Sequence, residues 1–206
     1  MATLFEKIAK QALEAGVTPR TRESMIWFAR KLRSMQVGSR EALIRSKEFK
    51  RRSRLNVTLP LIGTVHMFRY EPKNETKLPY YDQYPLVIIV DRAKGGFLGL
   101  NIHYLPVLLR ARFLDVLYKD LNNEKFDETT RMNTRWRRVN RGLTKKFLKP
   151  MIKHYLSDHV DGYIAQVYPD EWDTAMFLPF QRFRKANQNT VWRDSYQQIY
   201  SRLETG

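Results

Sequence analysis

Asp82 and the run Asp91-Arg92-Ala93-Lys94 are the residues whose types could support phosphodiester chemistry. Metal-dependent nucleases hold divalent cations with carboxylates and place a lysine beside them to stabilise developing charge. The spacing here is one residue off that pattern, and Gly95-Gly96 follows directly, so a turn over residues 91–96 is the more economical reading. The histidines are His66, His103, His154 and His159. His154 and His159 are five apart, whereas two ligands on one helical face need a spacing of three or four, so zinc is not expected. His66 and His103 fall in expected strands, where a core or edge histidine with satisfied nitrogens is the simpler role. The chain has no cysteine and no Gly-Lys-Ser/Thr phosphate loop, which removes thiol chemistry, disulfides and support for nucleotide hydrolysis. No cofactor, metal or catalytic group is expected.

Charge is the stronger signal. The 206 residues carry 37 Lys and Arg against 21 Asp and Glu, a formal +16 whose self-repulsion an anionic partner would relieve. It is unevenly spread. Residues 1–54 hold 14 bases and 5 acids, residues 55–129 hold 9 of each, and residues 130–206 hold 14 and 7. A solvated helix face normally mixes both signs, which suffices for Arg30, Lys31 and Arg33. Residues 131–153 differ, with nine bases and no acid. Phosphates would neutralise such a segment with release of counterions. The reading that follows is nucleic-acid binding through Arg51, Arg52, Arg54, Arg131, Arg135, Arg137, Arg138, Arg141, Lys145, Lys146 and Lys149, which gives affinity without sequence readout. Trp136 and Phe147 lie among these bases and either stack on exposed nucleobases or anchor the segment to the core. Tyr80, Tyr81 and Tyr84 bracket Pro79, Asp82 and Pro85 and most simply pack a rigid turn.

The elements that must position these groups follow from periodicity. Leu4, Phe5, Ile8 and Leu13 recur at helical spacing before Gly16 and Pro19. Thr21 and Ser24 open a second helix with apolar Met25, Ile26, Phe28, Ala29 and Leu32. The pattern then changes period. Strands are expected over residues 61–70, 84–91 and 97–105, with Leu86-Val87-Ile88-Ile89-Val90 the buried centre. Pro106 starts a helix that ends near Asn122 and Asn123. A strand over 163–168 could close the sheet, and residues 175–180 are apolar enough to pack. The expected fold is α+β: a small antiparallel SH3-like β-barrel with flanking N-terminal and inserted helices. Its parts are a basic helical extension (1–54), a mixed core (55–180) with a basic helical insertion (131–153), and a polar, partly extended C-terminal tail (181–206). No run approaches the apolar length that spans a bilayer, and the N-terminus is amphipathic, unlike a secretory signal.

The middle of the chain also carries Gly63-Thr64-Val65-His66-Met67-Phe68-Arg69-Tyr70-Glu71-Pro72-Lys73, Leu78-Pro79-Tyr80-Tyr81-Asp82 and Gly96-Phe97-Leu98-Gly99-Leu100-Asn101-Ile102-His103-Tyr104-Leu105-Pro106. With Lys149-Pro150, His154-Tyr155-Leu156 and residues 172–187, these resemble the DNA end protector family of large contractile-tailed phages. The resemblance implies a virion protein that sits on the ends of packaged linear double-stranded DNA and shields them from host exonuclease after injection. Its implied partners are DNA ends and other virion proteins, without membrane or small-molecule substrate. Its implied setting is the particle, and the host cytoplasm during assembly and after injection. A structural protein of the neck, tail or baseplate, docking its basic flanks on acidic partners, is the alternative, and a metal-dependent nuclease the third reading.

Overall fold

The computed structural model describes residues 4–18, 21–34, 62–121 and 147–201. Two helices open it, α1 (Leu4–Glu14) and α2 (Arg22–Ser34). The Thr21 and Ser24 pair acts as a reciprocal cap: Ser24 N–H donates to Thr21 Oγ1 at 3.0 Å and Thr21 N–H to Ser24 Oγ at 3.1 Å. Two otherwise unmet donors at the helix start are thereby satisfied. Strands follow as β1 (Val65–Tyr70), β2 (Tyr81–Asp82), β3 (Leu86–Ala93) and β4 (Gly96–Asn101), then α3 (Val107–Leu121), β5 (Ile152–Leu156) and β6 (Val160–Val167). The chain ends in α4 (Trp172–Phe177), β7 (Phe183–Arg184) and α5 (Gln188–Tyr200).

The main sheet is antiparallel in the order β5-β4-β3-β1-β6, and β2 pairs only with β7. Strand alternation sorts side chains onto two faces. Val65, Met67, Leu86, Ile88, Val90, Leu100, Ala165 and Val167 face the helices, where they meet Ile8, Phe28, Leu114, Trp172 and Phe177. Phe68, Tyr70, Val87, Ile89, Phe97, Tyr155 and Ile164 gather on the other face. Both faces are therefore dry, which is why β3 begins with five consecutive buried apolar residues rather than an alternating pattern.

The second cluster draws on all five strands, so the sheet must coil. Tyr70 on β1 and Tyr155 on β5 are separated by two intervening strands, about 14 Å in a flat sheet. Their ring centroids lie 4.9 Å apart. Two glycines of β4 allow this closeness. A Cβ on Gly96 would lie 1.8 Å from the Tyr155 carbonyl oxygen, and one on Gly99 would lie 2.0 Å from Val87 Cγ1. The coil stops short of closure: β5 and β6 form the two edges and share no ladder among the described residues. The expected closed SH3-like barrel is thus corrected to an open, coiled five-stranded sheet within a mixed helix-and-sheet fold.

Two further expectations change. The tail expected to be polar and partly extended contains α5, because Val191, Ser195 and Ile199 recur at helical spacing and are buried, and Asn187 caps the helix by accepting from Thr190 N–H at 2.9 Å. At the end of the basic segment residues 147–151 are helical, and the last two positions of the expected insertion are strand. Lys149–Met151 is a single 3-10 turn and Ile152 already belongs to β5.

His66 supplies a pH test of this packing. It is 5% exposed in β1, and burial pulls its imidazole down to about 4, against a weaker opposing hydrogen bond at Thr64. Between pH 6.5 and 4 the unfolded chain binds this proton and the folded one does not. Stability is therefore whole above pH 6.5 and falls as the pH drops towards 4, by about 3 kcal/mol. Urea unfolding at a series of pH values should show this slope, and His66→Gln should flatten it. An unchanged slope in the variant would place the acid sensitivity elsewhere. Asp82, discussed next, acts in a lower window.

Candidate nucleic-acid interface and the buried polar centre

The carboxylates that could serve a nuclease are kept in different environments. Asp82 is buried, 3% exposed, and each of its oxygens is engaged. Oδ1 accepts from the backbone N–H of Tyr84 and Arg182, both at 3.1 Å; Oδ2 accepts from His103 Nδ1 at 2.7 Å and Asn101 Nδ2 at 3.3 Å. Burial acts to raise the Asp82 pKa, but His103 and these donors outweigh it and hold the carboxyl below its usual range. Asp91 is exposed within β3, paired with Leu98, and accepts from Arg92 N–H at 2.8 Å; the turn expected over residues 91–96 narrows to Lys94 and Gly95. Among the described residues no group of three or more carboxylates and histidines could hold a metal ion. His103 sits in a 3-10 turn (Ile102–Tyr104), not in the strand expected for it. His154 is exposed on β5, and His159 Nδ1 lies 2.9 Å from the Glu71 carbonyl oxygen.

Asp82 belongs to a structural centre that sequence reasoning missed. Asn101 donates to Asp82 and to Tyr155 Oη, and its side-chain oxygen accepts from His103 N–H at 3.0 Å. Beside it Arg110 of α3 is fully buried and spends its fork on three carbonyls: Nε on Leu105 at 2.7 Å, and the two terminal nitrogens on Met176 and His103 at 3.0 Å. Trp192 of α5 lies over the guanidinium at 5.3 Å and donates its indole N–H to the same His103 carbonyl at 2.9 Å. Burial draws Arg110 down to about 9, opposed by Asp82, which leaves it charged at neutral pH. The arrangement ties α3, α4, α5 and the turn after β4 together.

Of the basic residues singled out for nucleic acid, Lys149 is described, and it is exposed at the entrance to β5. Arg51, Arg52, Arg54, Arg131, Arg135, Trp136, Arg137, Arg138, Arg141, Lys145 and Lys146 lie outside the described residues. Phe147, their neighbour, packs against the core, as the anchoring reading expects. Lys153 also turns inward: its Nζ lies 4.0 Å from the Tyr104 ring centroid, and desolvation pulls it down to about 8. The distribution of charge is informative by itself. Residues 35–61 hold seven bases and two acids and residues 122–146 hold eight and three, so ten of the sixteen excess charges fall in these two segments. The segments leave α2 and α3, and both helices pack on α4. The described scaffold carries 20 bases and 15 acids.

The described scaffold is thus near balance in charge, and the excess of bases lies in the two segments that follow α2 and α3 in sequence. No helix among the described residues is long and apolar enough to cross a membrane. The chain belongs to the phage T4 terminal DNA protecting protein family, whose model matches residues 4–201 and so spans every described element. That family is one of DNA protecting proteins, not of enzymes. No curated protein and no solved structure matches the chain.

Proposed function

We propose that this protein binds the ends of packaged linear double-stranded DNA and protects them from host exonuclease. The match to a terminal DNA protecting family over residues 4–201 carries the reading. The +16 charge and its concentration in two segments support it, since phosphate neutralisation is what such segments favour. Arg51, Arg52, Arg54, Arg131, Arg135, Arg137, Arg138, Arg141, Lys145, Lys146 and Lys149 supply phosphate contacts, and Trp136 meets the terminal base pair. An end offers frayed bases beside the same phosphates as interior duplex, so end preference needs a basic cradle with an aromatic or rigid apolar surface against the terminal pair. The particle is the setting this implies, with other virion proteins as neighbours.

Saturating protein should slow an exonuclease on linear duplex and leave the same DNA intact when the exonuclease is omitted and magnesium supplied. Trp136→Ala should lose protection while keeping much of its affinity, because the charge remains. Binding nicked circles as tightly as linear DNA, without protection at saturation, would reject end protection and return a structural part of the neck, tail or baseplate.

A further inference from the structure

The solvent face of α5 lacks the composition that water alone would select. Asn189, Arg193, Tyr196 and Tyr200 follow one another at intervals of four, three and four, which places them on one stripe of the helix. All four are exposed, opposite the buried Val191, Ser195 and Ile199. Tyr196 and Tyr200 are 41% and 37% exposed, and their rings stack on each other, with centroids 5.1 Å apart and planes 23° from parallel. Arg193 begins the ladder with 68% of its side chain exposed. The helix has one acid, Asp194, which bonds the Tyr80 hydroxyl and lies 3.9 Å from Arg193 Nε, a long, exposed ion pair that leaves most of the guanidinium open to solvent.

A solvated helix face would carry mixed Lys and Glu, and a helix that lies in an apolar groove would bring aliphatic anchors at i, i+3, i+4 and i+7. The exposed positions of α5 carry neither. They carry aromatic planes, amides and one cation, the groups that meet base faces, base edges and a phosphate. We propose that the Tyr196–Tyr200 ladder, with Arg193, is a stacking site for unpaired bases at a DNA terminus. The inference rests on the reading above that the partner is a DNA end, and it adds a second aromatic surface on a described, rigid element. A base stacked on the outer ring continues the ladder by one plane, and the Arg193 guanidinium meets its phosphate.

The test uses the full chain and three fluorescent probes: a blunt duplex, the same duplex with a short 3′ oligothymidine overhang, and free oligothymidine. The wild type should prefer the overhang to the blunt end. Tyr196→Ala with Tyr200→Ala should lose about ten-fold on the overhang and on free oligothymidine, with little change on the blunt duplex. Tyr196→Phe with Tyr200→Phe should keep the preference, since stacking needs no hydroxyl, and unchanged helix content by circular dichroism verifies that the alanine variant is folded. No overhang preference in the wild type, or an alanine variant that retains it, overturns the site while duplex binding leaves end protection standing. Tyrosine-dependent binding of oligothymidine without any binding to duplex does the reverse.

Discussion

Arg110→Met should lower the unfolding free energy by about 3–5 kcal/mol, a large part of the total stability of a domain of this size. Methionine keeps the aliphatic volume beneath Trp192, so the change removes the guanidinium's hydrogen bonds and its charge over the indole with little loss of packing. The carbonyls of Leu105 and Met176 lose this donor inside the core, at about 1–3 kcal/mol each before relaxation, while that of His103 keeps the Trp192 indole N–H. Arg110→Lys should recover little, because one ammonium cannot reproduce a planar fork aimed at three divergent oxygens. Urea unfolding followed by tryptophan fluorescence measures both variants, Trp192 being a direct neighbour. A loss under about 1 kcal/mol for Arg110→Met would mean that the carbonyls find other donors, and that the buried guanidinium is tolerated rather than required.

The second large effect concerns DNA. Changing Arg135, Arg137, Arg138 and Arg141 together to Glu removes four cations from residues 122–146 and reverses the sign of that segment. If these side chains meet phosphates, the slope of log affinity against log salt should fall by about 3.6, near 0.9 for each lost contact. At low salt, affinity for linear duplex should drop by about two to three orders of magnitude. The described core should unfold at the same urea concentration as the wild type. Unchanged affinity and slope would exclude this segment as the DNA surface and shift attention to residues 35–61, whose excess of five bases equals it.

Much of the fold was legible from local chemistry. The apolar run from Leu86 to Val90 became a strand buried on both faces, Pro106 preceded α3, and Thr21 with Ser24 capped α2. Lys94 and Gly95 make the β3–β4 turn, with Gly96 opening β4 against Ala93. Features decided by distant contacts were hidden. β5 was masked because Ile152 and Tyr155 sit at the end of a cationic run, and only pairing with β4 makes them a strand. α5 was missed because its buried stripe is narrow and includes a serine, whose hydroxyl bonds the Val191 carbonyl instead of announcing an apolar position. The coil of the sheet depends on what Gly96 and Gly99 lie against, which periodicity cannot reveal. The same limit applies to Arg110, which reads as one more base and is spent inside the core, and to Lys153, which lies over Tyr104. Asp82 had the right residue type for chemistry, but burial and four donors assign it to architecture.

The clasp between Arg110 and Trp192 also bears on how the chain is made. Every strand of the main sheet is encoded before residue 168, and the groups that Arg110 needs arrive later: the Met176 carbonyl first, then Trp192 from the last described helix. A nascent polypeptide emerging from the ribosome can pair its strands while the guanidinium is still unmet and the surface that receives Ile199 is still open. The centre is therefore closed from the side of α5, after the strands of the main sheet have been made, and a messenger cut short before α5 would yield a chain with those strands encoded and its centre wet.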